Sequence, residues 1–98
     1  MVEQGDIIRI PDAKDNYLVL SKSAYNKSGQ VVVCPILTGN ITTPMRTELK
    51  GESITQYAYW DNLRMLDIAC RGYSVKGRVS LLELMEILDG VQSIFDYV

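Results

Sequence analysis

The segment QVVVCPIL, Gln30 to Leu37, is the most β-prone stretch of the chain, with three consecutive valines. Branched side chains lose rotamer freedom in a helix and pack well on a pleated surface, so this segment must be a strand. A strand this apolar needs a sheet around it. Pro35 has no N–H for a ladder, so it marks a bulge, an edge or the last bonded residue of that strand. The polar residues Thr38, Gly39 and Asn40 then form a turn.

The partner strands can be read on either side. GDIIRI (Gly5 to Ile10) alternates in part and stops at Pro11 and Asp12, leaving PDAKDN as a short polar loop. YLVLS (Tyr17 to Ser21) is a continuous apolar run, as in a central strand covered on both faces. SKSAYNKSG suits one helical turn or a tight loop, because Ser and Asn offer the backbone local hydrogen bonds. MRTELKGE reads as a half-exposed strand ending at Gly51. ITQYAYWDNLRMLD places Tyr57, Tyr59 and Trp60 in a further strand before Asp61 and Asn62 break it, and ACRGYSVKGRVS gives a turn and a short strand around Val75 to Val79.

One long helix closes the chain. Ser80 and Glu83 have the S-x-x-E spacing of a capping box. Leu84, Leu88, Val91 and Phe95 follow at helical spacing, with Leu81, Ile87 and Ile94 beside them, so the helix should pack one face on the core. Gly90 interrupts that pattern at a cost of about 1 kcal/mol relative to alanine. The order of elements implies a mainly β (α+β) fold: an antiparallel sheet curled toward a small barrel and packed against a C-terminal amphipathic helix.

Ninety-eight residues suffice for one domain. The polar start MVEQGDIIRI does not resemble a signal peptide and no long apolar span occurs, so a cytoplasmic location without membrane contact is expected. The chain has no histidine, which excludes histidine acid–base catalysis, and it lacks the glycine-rich phosphate-binding motifs. Cys34 and Cys70 lack metal-ligand spacing and are expected to be buried thiols, with Cys34 inert. Residues 80–98 carry a charge of −4 and residues 1–79 carry +2, so an anion would be held by the first region. Three polar clusters remain as candidates for a cleft: Lys14-Asp15-Asn16, Thr38-Gly39-Asn40, and Asp61-Asn62 with Arg64. Tyr57, Tyr59 and Trp60 near Arg64 would suit stacking of unpaired bases, or they form a sheet core.

The order and spacing of several segments resemble the MazF/PemK family of toxins. GDIIRI resembles the family's opening strand, and YLVLSKSAYNKSGQVVVCPILTGN is similar to its strand, S-x-x-x-[YF]-N turn and V-V-x-P-[IV] strand. DNLRMLDIACRGYSVKGRVS resembles its D-Q-x-R-[ST]-[IL]-D…R-G block. The resemblance implies an SH3-like barrel of about five to seven antiparallel strands, assembled as a homodimer and bound by a MazE/PemI-like antitoxin. It further implies a cofactor-free, metal-independent endoribonuclease acting on single-stranded RNA. The implied catalytic residues are Lys14, Thr38, Asp61 and Arg64, with RNA contacts from Lys14, Asn16, Asn40, Arg46 and Trp60.

Two positions depart from the family pattern. Asp15 and Asn16 stand where many members have arginine and proline, and Leu37 stands where a threonine is usual. Thr38 follows one residue later, which in an extended segment turns its side chain to the other face unless a bulge at Pro35 restores it. A second reading therefore stays open, in which the same fold is a non-catalytic or degenerate module. It would bind a protein target, nucleic acid or antitoxin, as the similarly folded CcdB family binds DNA gyrase.

Overall fold

The computed structural model describes residues 2–38, 45–50 and 55–95. Its strands are β1 (Asp6–Arg9), β2 (Asn16–Val19), β3 (Gln30–Thr38), β4 (Thr47–Leu49), β5 (Gln56–Ala58), β6 (Arg64–Asp67) and β7 (Ser74–Arg78). The helices are α1 (Ser23–Asn26), α2 (Ile68–Arg71) and α3 (Leu81–Ile94). The sheet runs β4-β5-β3-β2-β1-β7, every pairing is antiparallel, and β6 pairs with β3 on the same edge as β5. The result is a half-barrel with the C-terminal helix against one side, in agreement with the expected fold class.

β3 organises the molecule, and Pro35 explains how one strand serves three partners. On the edge shared by β5 and β6, Val33 pairs with Arg64 and Ile36 with Ala58. Between them the Pro35 carbonyl accepts the Tyr59 N–H at 3.0 Å, but the ring has no proton to return. The Tyr59 carbonyl instead accepts the Asn62 N–H at 3.0 Å, closing a turn. The chain therefore leaves the ladder at Pro35 and rejoins it as β6. On the opposite edge the β2–β3 ladder passes Pro35 in unbroken register, Tyr17 facing Pro35 and Leu18 facing Cys34.

Strand alternation divides the apolar residues between two cores. One contains Leu18, Leu20, Cys34, Ile36, Leu49, Ala58 and Trp60 and is covered by Leu84 and Ile87 of α3. The other contains Val2, Ile8, Ile10, Val19, Val31, Val33, Leu66 and Ile68. β2 contributes to both faces, as its continuous apolar run predicts.

Local chemistry fixes the remaining connections. The Asn26 side chain, buried below α1, donates to the Val2 and Ser21 carbonyls at 3.2 and 3.0 Å. The Ser21 hydroxyl accepts the Val32 N–H at 2.9 Å, so these turn residues staple α1 to β3. At Gly29 (φ 89°) a Cβ would sit 2.8 Å from that of Ala69, and the freed carbonyl accepts N–H groups of Ile68 and Ala69 at the start of α2. The expected capping box is present: Ser80 Oγ accepts the Glu83 N–H at 3.2 Å, and Glu83 Oε1 accepts the Ser80 N–H at 3.0 Å.

Several expectations are corrected. The aromatic strand ends at Ala58, and Tyr59 and Trp60 lie in the turn that Pro35 imposes. β6 and α2 were not expected from sequence. Cys70 is exposed rather than buried, because it lies on the outer side of a single-turn helix. Phe95, expected on the core stripe of α3, is 68% exposed at the helix C-cap, while the core contacts of that helix end at Val91.

Candidate functional site

The face of the sheet opposite α3 becomes half-exposed toward the C-terminal end of β3. The ladder pairs Leu37 with Tyr57 and Tyr57 with Glu48, so these three side chains share that face. One rung back on the same face lie Tyr17 and Pro35, with Tyr59 beside Pro35 and Arg46 two residues before Glu48. Arg46 is anchored there. Its guanidinium carbon lies 4.2 Å from the Tyr57 ring centroid and 5.6 Å from that of Tyr59, and its Nη1 donates to the Tyr59 hydroxyl at 2.9 Å. Arg64 pairs with Val33 and by alternation belongs to the same face, exposed.

Thr38 does not join them. The β2–β3 and β3–β5 registers show no shift near Pro35, so no bulge restores its orientation. It pairs with Gln56, on the face that carries Ile36 and Ala58, and is exposed only because β3 ends there. Leu37 holds the outward position.

The β1–β2 connection carries Lys14, which is exposed. Arg9 braces this turn: its Nη2 donates to the Ala13 carbonyl at 3.1 Å and its Nη1 reaches Asn16 Oδ1 at 3.4 Å. Asn16 therefore serves as a local acceptor as well as a candidate contact, and Asp15 immediately precedes it. Asp12 takes the left-handed conformation (φ 70°) that tightens the loop.

Asp61 is exposed in the turn between β5 and β6. Burial, with the Asp61 charge adding to it, pushes the Cys34 thiol up to about 12, so Cys34 is the inert thiol expected. Trp60 is not available for base stacking: it is 7% exposed and lies in the α3-side core, against the backbone of Gly90. Asn40 lies outside the described residues. Tyr57 and Tyr59, by contrast, are half-buried on the open face. Sequence alone flags Arg46 as a cation. Its seat between two tyrosines depends on the β4–β5 register, which no local pattern records.

Among the described residues, cysteines and carboxylates form no group of three or more that could hold a metal ion. No helix there is long and apolar enough to cross a membrane.

Comparison with known proteins agrees with the overall fold. The family described as PemK-like, MazF-like toxin of type II toxin-antitoxin system matches residues 3–95. No curated protein sequence matches the chain. Among solved structures, MazE-MazF from Deinococcus radiodurans superposes with a TM-score of 0.86 at 22% identity, covering 96% of this chain and 95% of that one. An endoribonuclease in complex with its cognate antitoxin from a mycobacterial species gives 0.81 at 22% identity, covering 97% and 95%. The Mycobacterium tuberculosis toxin MazF-mt6 gives 0.76 at 16% identity, covering 96% and 98%. With the family match extending over nearly the whole sequence, the chain belongs to the PemK-like, MazF-like toxins of type II toxin–antitoxin systems.

Proposed function

We propose that this toxin is an endoribonuclease that cuts single-stranded RNA without a metal ion, using an altered active site on the open face of the sheet. The observation that carries the reading is the pair of arginines, Arg46 and Arg64, on one half-exposed face beside Tyr57 and Tyr59. Cations and aromatic rings together suit unpaired nucleotides. In the reaction the ribose 2′-oxygen bonds to the adjacent phosphorus and the P–O5′ bond breaks, leaving a 2′,3′-cyclic phosphate and a 5′-hydroxyl. The 2′-proton passes to a base, for which Asp61 is the carboxylate at hand, and another proton reaches the leaving oxygen. Arg64 and Lys14 supply positive charge for the phosphorane. Arg46 adds a substrate contact, whereas Thr38 and Asn16, which pair with Gln56 and Ile36, belong to the opposite face of the sheet.

The protein acts in the cytoplasm as a homodimer and is held inactive by a cognate antitoxin. Solved structures of this fold that include a toxin with its antitoxin support the last point. Apolar side chains exposed on the monomer, among them Met65 (60%), Leu82 (79%) and Phe95 (68%), are surface that such association would cover. The test is incubation of antitoxin-free protein with RNA of varied sequence in EDTA. Cleavage leaving cyclic phosphate ends, lost in Lys14→Ala, Asp61→Ala and Arg64→Ala, is the expected result; intact RNA refutes the proposal.

One observation favours a second reading, a non-catalytic module that grips a protein target. Leu37 presents an apolar side chain at the outward position, and Asp15 places a carboxylate before β2. Recovery of a specific protein partner with no RNA cleavage would establish it.

A further inference from the structure

We infer that Arg46, held over Tyr57 and tied to Tyr59, is a stacking subsite for one base of single-stranded RNA, with its remaining N–H groups serving the adjoining phosphate. This rests on the ribonuclease reading and adds to it a binding position separate from the reacting groups.

The geometry of the side chain is the argument. A guanidinium has five N–H groups in one plane, and that of Arg46 is held by two neighbours. The Tyr57 ring covers one side, with 4.2 Å from guanidinium carbon to ring centroid, and the Tyr59 hydroxyl takes Nη1 at 2.9 Å. Arg46 precedes β4, the last strand in the order of the sheet, and is half-exposed. Among the described residues the ion pairs are those of Arg78, and Arg46 takes part in none. Glu48, an acidic group on this face, lies one rung away opposite Tyr57.

A half-buried guanidinium stacked over one ring and hydrogen-bonded to a second tyrosine has no ion-pair partner among the described residues. An acidic peptide would supply charge alone, and a mobile lysine would serve it as well. A nucleotide supplies both a planar ring and a phosphate, which are the two things that a clamped guanidinium recognises. Stacking of this kind accepts any base, so the subsite contributes affinity rather than sequence preference. Tyr57 and Tyr59 are then positioning residues that keep the arginine flat.

The test is binding of a fluorescent 2′-O-methyl oligoribonucleotide of randomised sequence, which cannot be cleaved, followed by anisotropy across a salt series. Arg46→Ala should weaken binding about 5- to 150-fold. It should also reduce the slope of log K against log salt by about 0.7, the loss of one phosphate contact on a single strand. Arg46→Lys should keep the slope while still weakening binding. Tyr57→Leu should weaken binding and Tyr57→Phe should restore it. Folded Arg46→Ala protein that binds with unchanged affinity and slope overturns the inference, and cleavage of RNA in EDTA by the wild-type protein then keeps the ribonuclease reading standing without it. Unchanged RNA binding with weakened binding of an acidic antitoxin peptide overturns it in favour of a protein ligand. Wild-type protein that binds no RNA overturns both.

Discussion

Placing a methyl group on Gly90 should destabilise the protein, against the usual direction for a glycine inside a helix. Glycine to alanine at such a position ordinarily gains about 1 kcal/mol. Here the new Cβ would lie 2.6, 2.7 and 2.8 Å from Cε2, Cζ2 and Cδ2 of Trp60. Ordinary carbon contacts lie near 3.5–4.0 Å, so the ring or the helix must withdraw by about 1 Å. Trp60 cannot swing into solvent, being 7% exposed in the core beside Ile87 and Leu84. Overpacking of this kind costs about 1–3 kcal/mol, and after the propensity gain a net loss of up to roughly 2 kcal/mol remains. In a chain of this length that lowers Tm by up to roughly 15 °C. Urea unfolding followed by circular dichroism measures the loss directly. The reasoning also requires the sign to reverse in a Trp60→Leu background, where the smaller side chain leaves room for the methyl. A Gly90→Ala protein with raised Tm, or equal effects of Gly90→Ala in both backgrounds, would refute the claim that the helix sits on this ring.

Other consequences are open to equally direct checks. Glu83 joins the helix cap to β4, its Oε2 accepting the Lys50 N–H at 2.9 Å, so Glu83→Ala should cost about 1 kcal/mol in urea unfolding at pH 7. Burial acts to raise the Glu83 carboxyl, but the Lys50 and Ser80 hydrogen bonds outweigh it and hold the group below its ordinary value. That stabilisation is present above the unfolded pKa and disappears as pH falls through the folded one, so wild type and Glu83→Ala should converge at strongly acidic pH. Ellman's reagent at pH 8 should titrate one thiol, Cys70, in the folded protein and both after denaturation; two fast thiols would contradict the burial of Cys34. Because Cys34 rises from 9.0 to about 12 on folding, its contribution is complete below pH 9 and is lost above it. Relative to Cys34→Val, wild-type stability should fall by about 1.4 kcal/mol per pH unit between those values. Asn26→Ala strips the partners from buried groups around Ser21 and Val2 and should cost about 2–3 kcal/mol, read as a shift in urea midpoint.

What could be read in advance follows from where each signal resides. β3 and α3 announce themselves because their signals are local: a run of branched residues and a serine–glutamate pair at fixed spacing. β6 has no such signal. Of its four residues only Leu66 is buried, and its strand geometry comes from pairing with β3. Trp60 adjoins Tyr57 and Tyr59 in one aromatic run but falls in the opposite phase, with Ala58, and only the fold shows that this side is covered by α3. The candidate site was legible to the extent that its residues lie in loops with unusual composition, as Lys14 and Asp61 do. Whether Thr38 shares a face with Arg64 depends on cross-strand register, and the intact ladder past Pro35 answers that against it.

The pairing of β1 with β7 also sets a schedule for synthesis. Arg9 meets Ser74 and Asp6 meets Arg78, so the outer edge of β1 has no partner until some 65 further residues have been made. At roughly 5–20 residues per second that interval lasts about 3–13 seconds on the ribosome. During it the hairpin of β1 and β2 offers an open edge, the feature most prone to pairing with another chain. Arg78, at the end of β7, bonds the buried Asp6 carboxylate at 2.7 Å and closes that edge. A growing chain of this protein therefore closes that edge only once β7, some 65 residues after β1, has been made.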